Sequence, residues 1–522
     1  MRTSFFPKLK RSWNALLNLG FGLLCIRFLF VTSQESDWTA VLLSAVGFAL
    51  GWWRPATSLF VFILSLSLIS GLELTVLFAP YSAVLTIASS LWLGLSARKL
   101  FPVPLAESTE IKPADAPGRT AGRMALIIDV LVTIALVSVY IQTWRDSVAP
   151  DFWRRIWPPA SVGLGGNTSY FLPGFLWLHG LFYFRAIREH PSADIISPAG
   201  IKLTLLVNGI VLLFFLGVQW KFDLPARWVP GFQSPYEDIA TFGIMAGCFL
   251  LCGLALLRRG SLPWSLLLGP GAVLLVVAVI ASWSRGTWLA SSTFLVVLAL
   301  LRLPRFIAIL IPAALLSAMI FLNLNVGQHP SVDRSYLDKL VSLVRFESPR
   351  AKNLERFDLY YKALAMIHER PWTGHGVGSF YGSSPSYASQ SDPKPNLPQF
   401  AHNILLQLAA EQGVPVAILF SGLVGWAFWR GIRCWNSYRQ REAGGSMETE
   451  TARVLAHLAL ALTLALGAYI QANMTWEILL VHPTQPYFFW FLMAALWATT
   501  DRANGQIRAP GKQPLILKPP GT

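Results

Sequence analysis

Long apolar runs alternate with short polar segments along the whole chain. A helix needs about 20 largely apolar residues to cross a bilayer, and fewer when neighbouring helices bury its polar backbone. Runs of this kind predict about 12 to 14 spanning helices, near residues 13–32, 38–53, 57–78, 80–97, 124–143, 168–186, 201–219, 238–257, 263–282, 287–301, 306–323, 403–429, 453–472 and 485–500. The pattern therefore predicts an all-α polytopic membrane protein.

Composition supports one membrane domain rather than a soluble enzyme with an anchor. Of the 522 residues, 54% are hydrophobic and 13% are charged, and the mean hydropathy is +0.50. Soluble domains carry about twice this charged fraction. The 21 Trp and 33 Phe are spread along the whole length.

The formal charge of +15 does not indicate a nucleic-acid partner, because the basic residues form short clusters in alternate loops. This is the cytoplasmic bias of membrane proteins. With the N-terminus inside, inner clusters include Arg258 with Arg259 and Arg302 with Arg305, while Arg145, Arg154 and Arg155 are an exception beside acids. The same topology places the "SWSRG" linker and residues 324–402 on the outer side.

The chain divides into four regions. Residues 1–200 hold the N-terminal helices and a polar cytoplasmic loop at 98–123, and residues 201–430 form a core that includes the outer segment 324–402. Residues 431–500 hold the C-terminal spans, and 501–522 are expected to be a disordered cytoplasmic tail. The outer segment is expected to be a large helical loop, in which Leu354, Phe357, Tyr361, Leu364 and Ile367 make one apolar helix face.

Arg285 interrupts an apolar run at "SWSRG", between two predicted spans. A break at the outer rim lets its charge reach water or an anion instead of lipid. Other ionisable groups in apolar runs, namely Arg27, Glu73, Asp129 and His179, mark either an ion path or groups that are paired or snorkelling.

Three glycines, Gly374, Gly376 and Gly378, lie in "PWTGHGVGSF". A dinucleotide-binding loop would follow a strand and open a helix, but no strand is predicted before these glycines and no helix directly after them. The spacing favours a sharp turn that permits close backbone approach.

His402 and Asn403 stand at the predicted start of a long helix whose N-terminus points outward. Free N–H groups at such an end suit a phosphate. Arg285, Arg356 and His402 are therefore expected on one side of the membrane, around an anion. No metal or other cofactor is expected, because the cysteines lack metal spacing and the outer acids form no DxD-like pair.

The segments "SWSRGTWLA", "ERFDLYYKALAMIHERPWTGHGVGSF" and "AHNILLQLAAEQGVP", in this order, resemble the O-antigen ligase and polymerase superfamily over about residues 205–430. The resemblance implies a GT-C-like membrane glycosyltransferase whose active site faces the periplasm at the bacterial inner membrane. Such enzymes take a glycan from a polyprenyl diphosphate, such as undecaprenyl diphosphate, without metal or nucleotide sugar. The acceptor is lipid A core of lipopolysaccharide, a growing polysaccharide or a protein.

Carried over by motif, the resemblance assigns catalytic roles to Arg285, Arg356 and His402. Arginine neutralises a departing diphosphate, and imidazole, with an ordinary pKa of about 6.5, accepts the proton of the acceptor hydroxyl. Attack opposite the leaving group inverts the anomeric centre. His375 and His482 are alternative bases, and Ser284, Gly374, Gly376, Asn403 and Tyr360 are expected to bind substrate. Tyr361, Trp372 and Tyr381 are further aromatic candidates for stacking on sugar rings.

Two other classes of function stay open at this point. A transporter or flippase of polyprenyl-linked glycans would use the outer loop as a gate and the arginines as a clamp. Such proteins tend to show internal repeats and midplane sites, and no repeat is visible here. A scaffold protein would leave Arg285 in a helix break without a role.

Overall fold

A computed structural model describes residues 5–35, 38–72, 83–100, 119–147, 171–189, 197–221, 247–249, 252, 273–276, 279, 285–302, 350–388, 400–444, 450–474 and 485–508. Within these ranges the chain forms helices and turns, and no residue of them lies in a strand. The predicted all-α class is confirmed for this part of the chain.

The N-terminal half contributes seven described helices. They are α1 (Phe5–Glu35), α2 (Trp38–Trp53), α3 (Pro55–Leu72), α4 (Ala83–Leu100), α5 (Arg119–Ser147), α6 (Phe171–Glu189) and α7 (Pro198–Lys221). Each overlaps one of the apolar runs that predict a span. Apolar length alone therefore located these helices.

The C-terminal half contributes α8 (Arg285–Arg302), α9 (Arg350–Glu369), α10 (Ser379–Ser383), α11 (Ile404–Gln412), α12 (Val414–Ala443), α13 (Glu450–Asn473) and α14 (Gln485–Arg508). A 3-10 turn at Ser384–Tyr387 follows α10. Among the described helices, α12 and α13 are long and apolar enough to cross a membrane. The predicted span 306–323 lies outside the described residues, and of 238–257 and 263–282 only a few residues are described.

Two predicted boundaries differ from the structure. The predicted span 403–429 is broken at Gly413, whose φ of 90° and ψ of 158° end α11, and Pro415 lies in the first turn of α12. The last helix continues to Arg508, so residues 501–508 of the segment expected to be a disordered tail are helical.

Among the last three helices, α12 and α14 run in the same direction and α13 runs in the opposite direction. Phe420 contacts Phe489 with ring centroids 5.8 Å apart, Trp426 contacts Trp497 at 5.0 Å, and Arg430 pairs with Asp501, so α12 and α14 run parallel. Helix α13 runs antiparallel to them, since Trp435 of α12 lies 5.2 Å from His457 of α13 while Gly431, earlier in α12, lies against Thr463, later in α13. The start of α12, the end of α13 and the start of α14 therefore share one end of the bundle.

Two of the ionisable groups in apolar runs have partners inside the bundle. Arg185 donates to Asn14 Oδ1 at 3.0 Å and lies 3.6 Å from a carboxylate oxygen of Asp129. His179 lies 3.1 Å from Ser89 Oγ. These contacts favour a structural role over an ion path for Asp129 and His179, whereas Glu73 lies outside the described residues and the side chain of Arg27 is not described.

Close packing of α12 on α13 depends on Gly431. A Cβ at this position would overlap Thr463 Oγ1 and lie 3.0 Å from Thr463 Cβ, whereas a Cβ at Gly425 of the same helix would meet nothing within 4 Å. We expect Gly431→Ala to destabilise the protein by about 1–3 kcal/mol, the usual cost of overpacking. Thermal unfolding of the protein in detergent measures this effect.

Gly425→Ala is the matched control and is expected to leave the melting temperature unchanged or slightly raised. Combining Gly431→Ala with Thr463→Ala removes the overlapping hydroxyl and is expected to recover part of the loss. Equal melting temperatures for the Gly431→Ala and Gly425→Ala proteins would contradict this packing.

Candidate functional site

A glycine-rich turn at residues 370–378 follows α9 and leads into α10. Gly374, Gly376 and Gly378 have φ values of 64°, 109° and 78°, all in the left-handed region. Glycine adopts this region without the steric cost that a Cβ imposes. The expected sharp turn is therefore present, although a short helix does open directly after it at Ser379.

The turn lies directly against the end of α11. The His375 N–H donates to the Ala410 carbonyl at 3.0 Å, and the Gly376 N–H donates to the Glu411 carbonyl at 2.8 Å. A Cβ at Gly374 would overlap the backbone of Glu411 and Gln412. Gly374 and Gly376 thus serve backbone packing here, and their expected substrate contacts stay a prediction.

The fully buried carboxylate of Glu411 holds the inside of the turn. Its Oε2 accepts the Gly378 N–H at 2.8 Å, and its Oε1 accepts the Phe380 N–H at 3.3 Å and the Gln407 side-chain N–H at 3.1 Å. A buried carboxylate is costly unless its oxygens receive such bonds. The three donors provide them, so the turn and the carboxylate stabilise each other.

The same network reaches His402. Gln407 Oε1 accepts the Ala401 N–H at 3.4 Å, one residue before His402. His402 itself has a φ of 51°, which is unusual for a residue with a side chain. Its backbone is therefore held in a strained conformation between the buried Ala401 and the N-cap of α11, which is typical of functional sites.

Asn403 is the N-cap of α11. Its Oδ1 accepts the N–H groups of Leu405 at 3.0 Å and Leu406 at 3.2 Å. Two of the N–H groups that were expected to bind a phosphate are therefore already hydrogen-bonded to Asn403. The helix is nine residues long and not a full span. Oδ1 is committed to the cap, so Nδ2 is the Asn403 group that would meet a substrate.

Two N-terminal helices, α5 and α6, contact the glycine-rich turn. The Val377 N–H donates to Ser138 Oγ of α5 at 3.1 Å. A Cβ at Gly174 of α6 would lie 2.8 Å from side-chain atoms of both Val139 and Val377. Helices α5 and α6, within residues 1–200, thus pack directly against the glycine turn.

Helix α9 packs on α11 through small and flexible side chains. Ala363 and Met366 form a cluster with Phe380, Ala401 and Ala410. Arg356 lies six residues before Lys362 on this helix, and Tyr360 is half-buried. Helix α9, which carries Arg356, therefore packs on α11, which begins two residues after His402.

His375 is bonded within the turn. Its Nε2 lies 3.1 Å from the Met366 carbonyl oxygen, and a carbonyl only accepts, so Nε2 carries the proton in this contact. Its ring also lies 5.7 Å from the Tyr387 ring. These contacts fit a structural residue of the turn better than a base.

A tyrosine and a carboxylate close the outer edge of the turn. The Tyr387 hydroxyl donates to Glu369 Oε2. Burial, followed by this bond, raises the pKa of Tyr387 to about 12, and the same bond is the largest cause that lowers the pKa of Glu369. The phenol therefore stays protonated at neutral pH and acts as a donor, not as a base.

The two arginines can be located only by their helices. Arg285 begins α8 and Arg356 lies in the second turn of α9, but their side chains are not described, and Ser284 and His482 lie outside the described residues. Helix α8 packs on α13, where Gln471 Nε2 donates to Thr293 Oγ1 at 3.3 Å. Gln471 lies near the end of α13, at the same end of the bundle as the start of α12. The middle of α8 is therefore near the start of α12.

Sequence reasoning missed Glu411 and Gln407. The available signal was position, since Glu411 is the one acidic residue between Ala401 and Trp429, in a run that is otherwise apolar or uncharged. An acid at such a place is expected only where it is paired or functional.

Comparison with known families identifies the segment that contains this site. Residues 270–421 match the family model described as O-antigen ligase. No curated protein matches the chain. The match begins before Arg285 and ends after the α11 segment, and it confirms the resemblance to the O-antigen ligase and polymerase superfamily.

Removing the Glu411 carboxylate should loosen the turn. Glu411→Ala leaves the buried N–H groups of Gly378 and Phe380 without their acceptor, at a cost of about 1–3 kcal/mol per group. We expect amide hydrogen exchange in residues 374–380 to speed up about tenfold or more, as measured by mass spectrometry on the detergent-solubilised protein.

Glu442→Ala serves as the control, because Glu442 is exposed at the far end of α12, where its carboxylate accepts the Tyr438 hydroxyl at 2.9 Å. Its exchange in residues 374–380 should match the parent protein. Unchanged exchange in the Glu411→Ala protein would show that the carboxylate does not hold the turn.

Proposed function

Residues 270–421 carry an O-antigen ligase domain, and from that premise we infer that the chain is a membrane glycosyltransferase acting on the periplasmic face. We propose that it moves a glycan from a polyprenyl diphosphate to an acceptor hydroxyl of a lipid, a polysaccharide or a protein. The reaction breaks the bond between the anomeric carbon and the diphosphate oxygen, and forms a bond to the acceptor oxygen. The acceptor proton goes to a protein base, and the diphosphate leaves as an anion.

One observation carries the proposal. His402 is fixed in a left-handed backbone conformation at the start of α11, and hydrogen bonds through Gln407 and Glu411 tie that start to the glycine turn. Catalysis needs a base whose position is set before substrate arrives. The buried network supplies this fixed position within the segment that matches the family.

His402 suits the role of general base. Imidazole is the side chain that enzymes use most often as a general base. His402 as a whole is half-buried and its Nδ1 is buried, so Nε2 is the ring nitrogen assigned to the acceptor proton in this proposal. Attack by the activated hydroxyl from the face opposite the leaving diphosphate gives inversion.

Arg285 and Arg356 suit the departing diphosphate. Charge grows on the phosphate oxygens as the bond breaks, and fixed cations stabilise this charge more in the transition state than in the ground state. Guanidinium is permanently charged and bonds two oxygens at once. This arrangement needs no metal ion.

A flippase of the same lipid-linked glycan is the alternative. It would bind the diphosphate with the same arginines but would need no base. The two functions are separated by giving the purified protein, in lipid nanodiscs, a polyprenyl-diphosphate glycan and an acceptor. A new glycosidic product supports the enzyme, and movement of the donor across vesicle membranes without product supports the flippase.

His402→Ala should abolish glycan transfer while expression and membrane insertion stay intact. Loss of a general base lowers turnover by about 10²–10⁴-fold. Arg285→Ala and Arg356→Ala should each lower it by about 10²–10³-fold, the usual effect of removing a group that stabilises developing charge. Product formation by purified protein is the measurement.

His368→Ala is the matched histidine control, since His368 is exposed on α9, and transfer should be unchanged. Transfer at near-normal rates after any of the three catalytic substitutions would remove that residue from the mechanism. If His375→Ala, rather than His402→Ala, abolished transfer, the base would be reassigned.

Arg285→Lys distinguishes a bidentate contact from simple neutralisation. Lysine keeps the charge but offers a compact ammonium in place of the planar fork. We expect the Lys protein to remain at least about tenfold below the parent, since one tenfold step corresponds to about 1.4 kcal/mol, the scale of one charge-assisted hydrogen bond. Full activity with lysine would show that a point charge suffices.

A further inference from the structure

Helix α9 exposes three of its large apolar side chains. Phe357, Tyr361 and Leu364 are 68%, 56% and 56% exposed, and they follow one another at spacings of four and three residues, so they share one face. Trp372, just beyond the helix, is 77% exposed. These four residues are called the aromatic face below.

The opposite side of α9 is the one that packs. Lys362, Ala363 and Met366 are fully buried, and Asp358 is nearly so. The hydrophobic pattern of the sequence would bury Phe357, Tyr361 and Leu364 instead. A helix that buries a lysine and exposes three large apolar side chains is arranged for a second, apolar environment.

The aromatic face continues onto a helix long enough to cross a membrane. The Val414 N–H donates to the Pro371 carbonyl at 2.8 Å, and a Cβ at Gly413 would overlap the Trp372 carbonyl. Trp372 therefore lies at the start of α12, and Ile418, in the next turn of α12, is 63% exposed. Tryptophan and tyrosine are the residues enriched where a spanning helix leaves the bilayer.

The depth of the attached turn points to the same place. Val377 bonds Ser138 of α5, and the polar end of α5 at Arg145 comes seven residues later, about 10 Å farther along the helix axis. On the same stretch of α5, Val137 and Ile141 are exposed as lipid-facing residues would be. The turn that ends α9 thus lies at the level of apolar helix surface.

We propose that the aromatic face of α9 rests on the outer-leaflet lipid of the membrane, at the boundary between headgroups and acyl chains. An amphipathic helix with aromatic and leucine side chains on one face binds in this manner. Arg356 precedes Phe357 and is thereby held at headgroup depth. This placement rests on the proposed function, because a polyprenyl diphosphate keeps its chain in the bilayer and its diphosphate at that same depth.

Lipid contact is measured with a fluorescent bimane label on the full chain. Leu364→Cys places the label on the aromatic face, and Ser386→Cys places it on an exposed polar residue of the 3-10 turn as the matched control. The native cysteines, Cys25, Cys248, Cys252 and Cys434, are all buried and should not be labelled. The protein is reconstituted in phosphatidylethanolamine and phosphatidylglycerol nanodiscs, with a nitroxide on the acyl chain near the headgroup.

We expect the nitroxide lipid to quench the label at position 364 about threefold or more strongly than the label at 386, because quenching requires contact with the lipid. Iodide in the buffer should show the reverse order. Equal quenching at both positions, or stronger iodide quenching at 364, would overturn the proposal. So would disulfide crosslinking of Leu364→Cys between two copies, or to a second cysteine within residues 303–349 of the same chain, since either would show a protein occupant.

The measurement needs neither donor nor acceptor, so it is separate from the proposed reaction. An Arg356→Ala protein that transfers no glycan should show the same quenching at position 364. If the label at position 364 were quenched as expected but the protein with wild-type Arg285, Arg356 and His402 transferred no glycan, the lipid contact would stand and the proposed enzymatic function would be rejected. Transfer activity without quenching would do the opposite.

Discussion

The buried carboxylate of Glu411 is the interaction on which the rest of the site depends. It accepts N–H groups from Gly378, Phe380 and Gln407, and Gln407 in turn accepts the N–H before His402. The N–H groups of Gly378 and Phe380 lie at the start of α10, where a helix has no backbone acceptor for them. The carboxylate satisfies them, and the donors offset its desolvation. The turn, α11 and Ala401, the residue before His402, therefore form one unit.

This unit is anchored on helices that lie far from it in sequence. Ser138, Val139 and Gly174 belong to the half of the chain that precedes the family match, yet they meet the turn through Val377. Because the anchor is a bundle with close helix contacts, the turn is held in place relative to these helices. On our proposal this rigidity matters, because the diphosphate of a lipid-linked donor stays at the headgroup layer while its chain stays in the bilayer, and the site must meet it there.

On our proposal, the orientation of α9 follows from its contact with both water and the lipid bilayer. In water alone, burial of Phe357, Tyr361 and Leu364 would be favoured over burial of Lys362. Beside a bilayer, the aromatic face has an apolar partner outside the protein, and the inner face needs only to match the small side chains of α11. The same helix thereby serves as a wall of the site and, on our proposal, as its contact with lipid.

The sequence by itself determined the helical class, the positions of most helices, the glycine turn and the residues that begin α8 and α11. These features follow from length, hydropathy and backbone preference, which act over a few residues. Only the tertiary structure decided the break at Gly413, the buried face of α9 and the role of Glu411. Each of these depends on which distant backbone or side chain lies opposite, as Ser138 lies opposite Val377, and no local pattern carries that information.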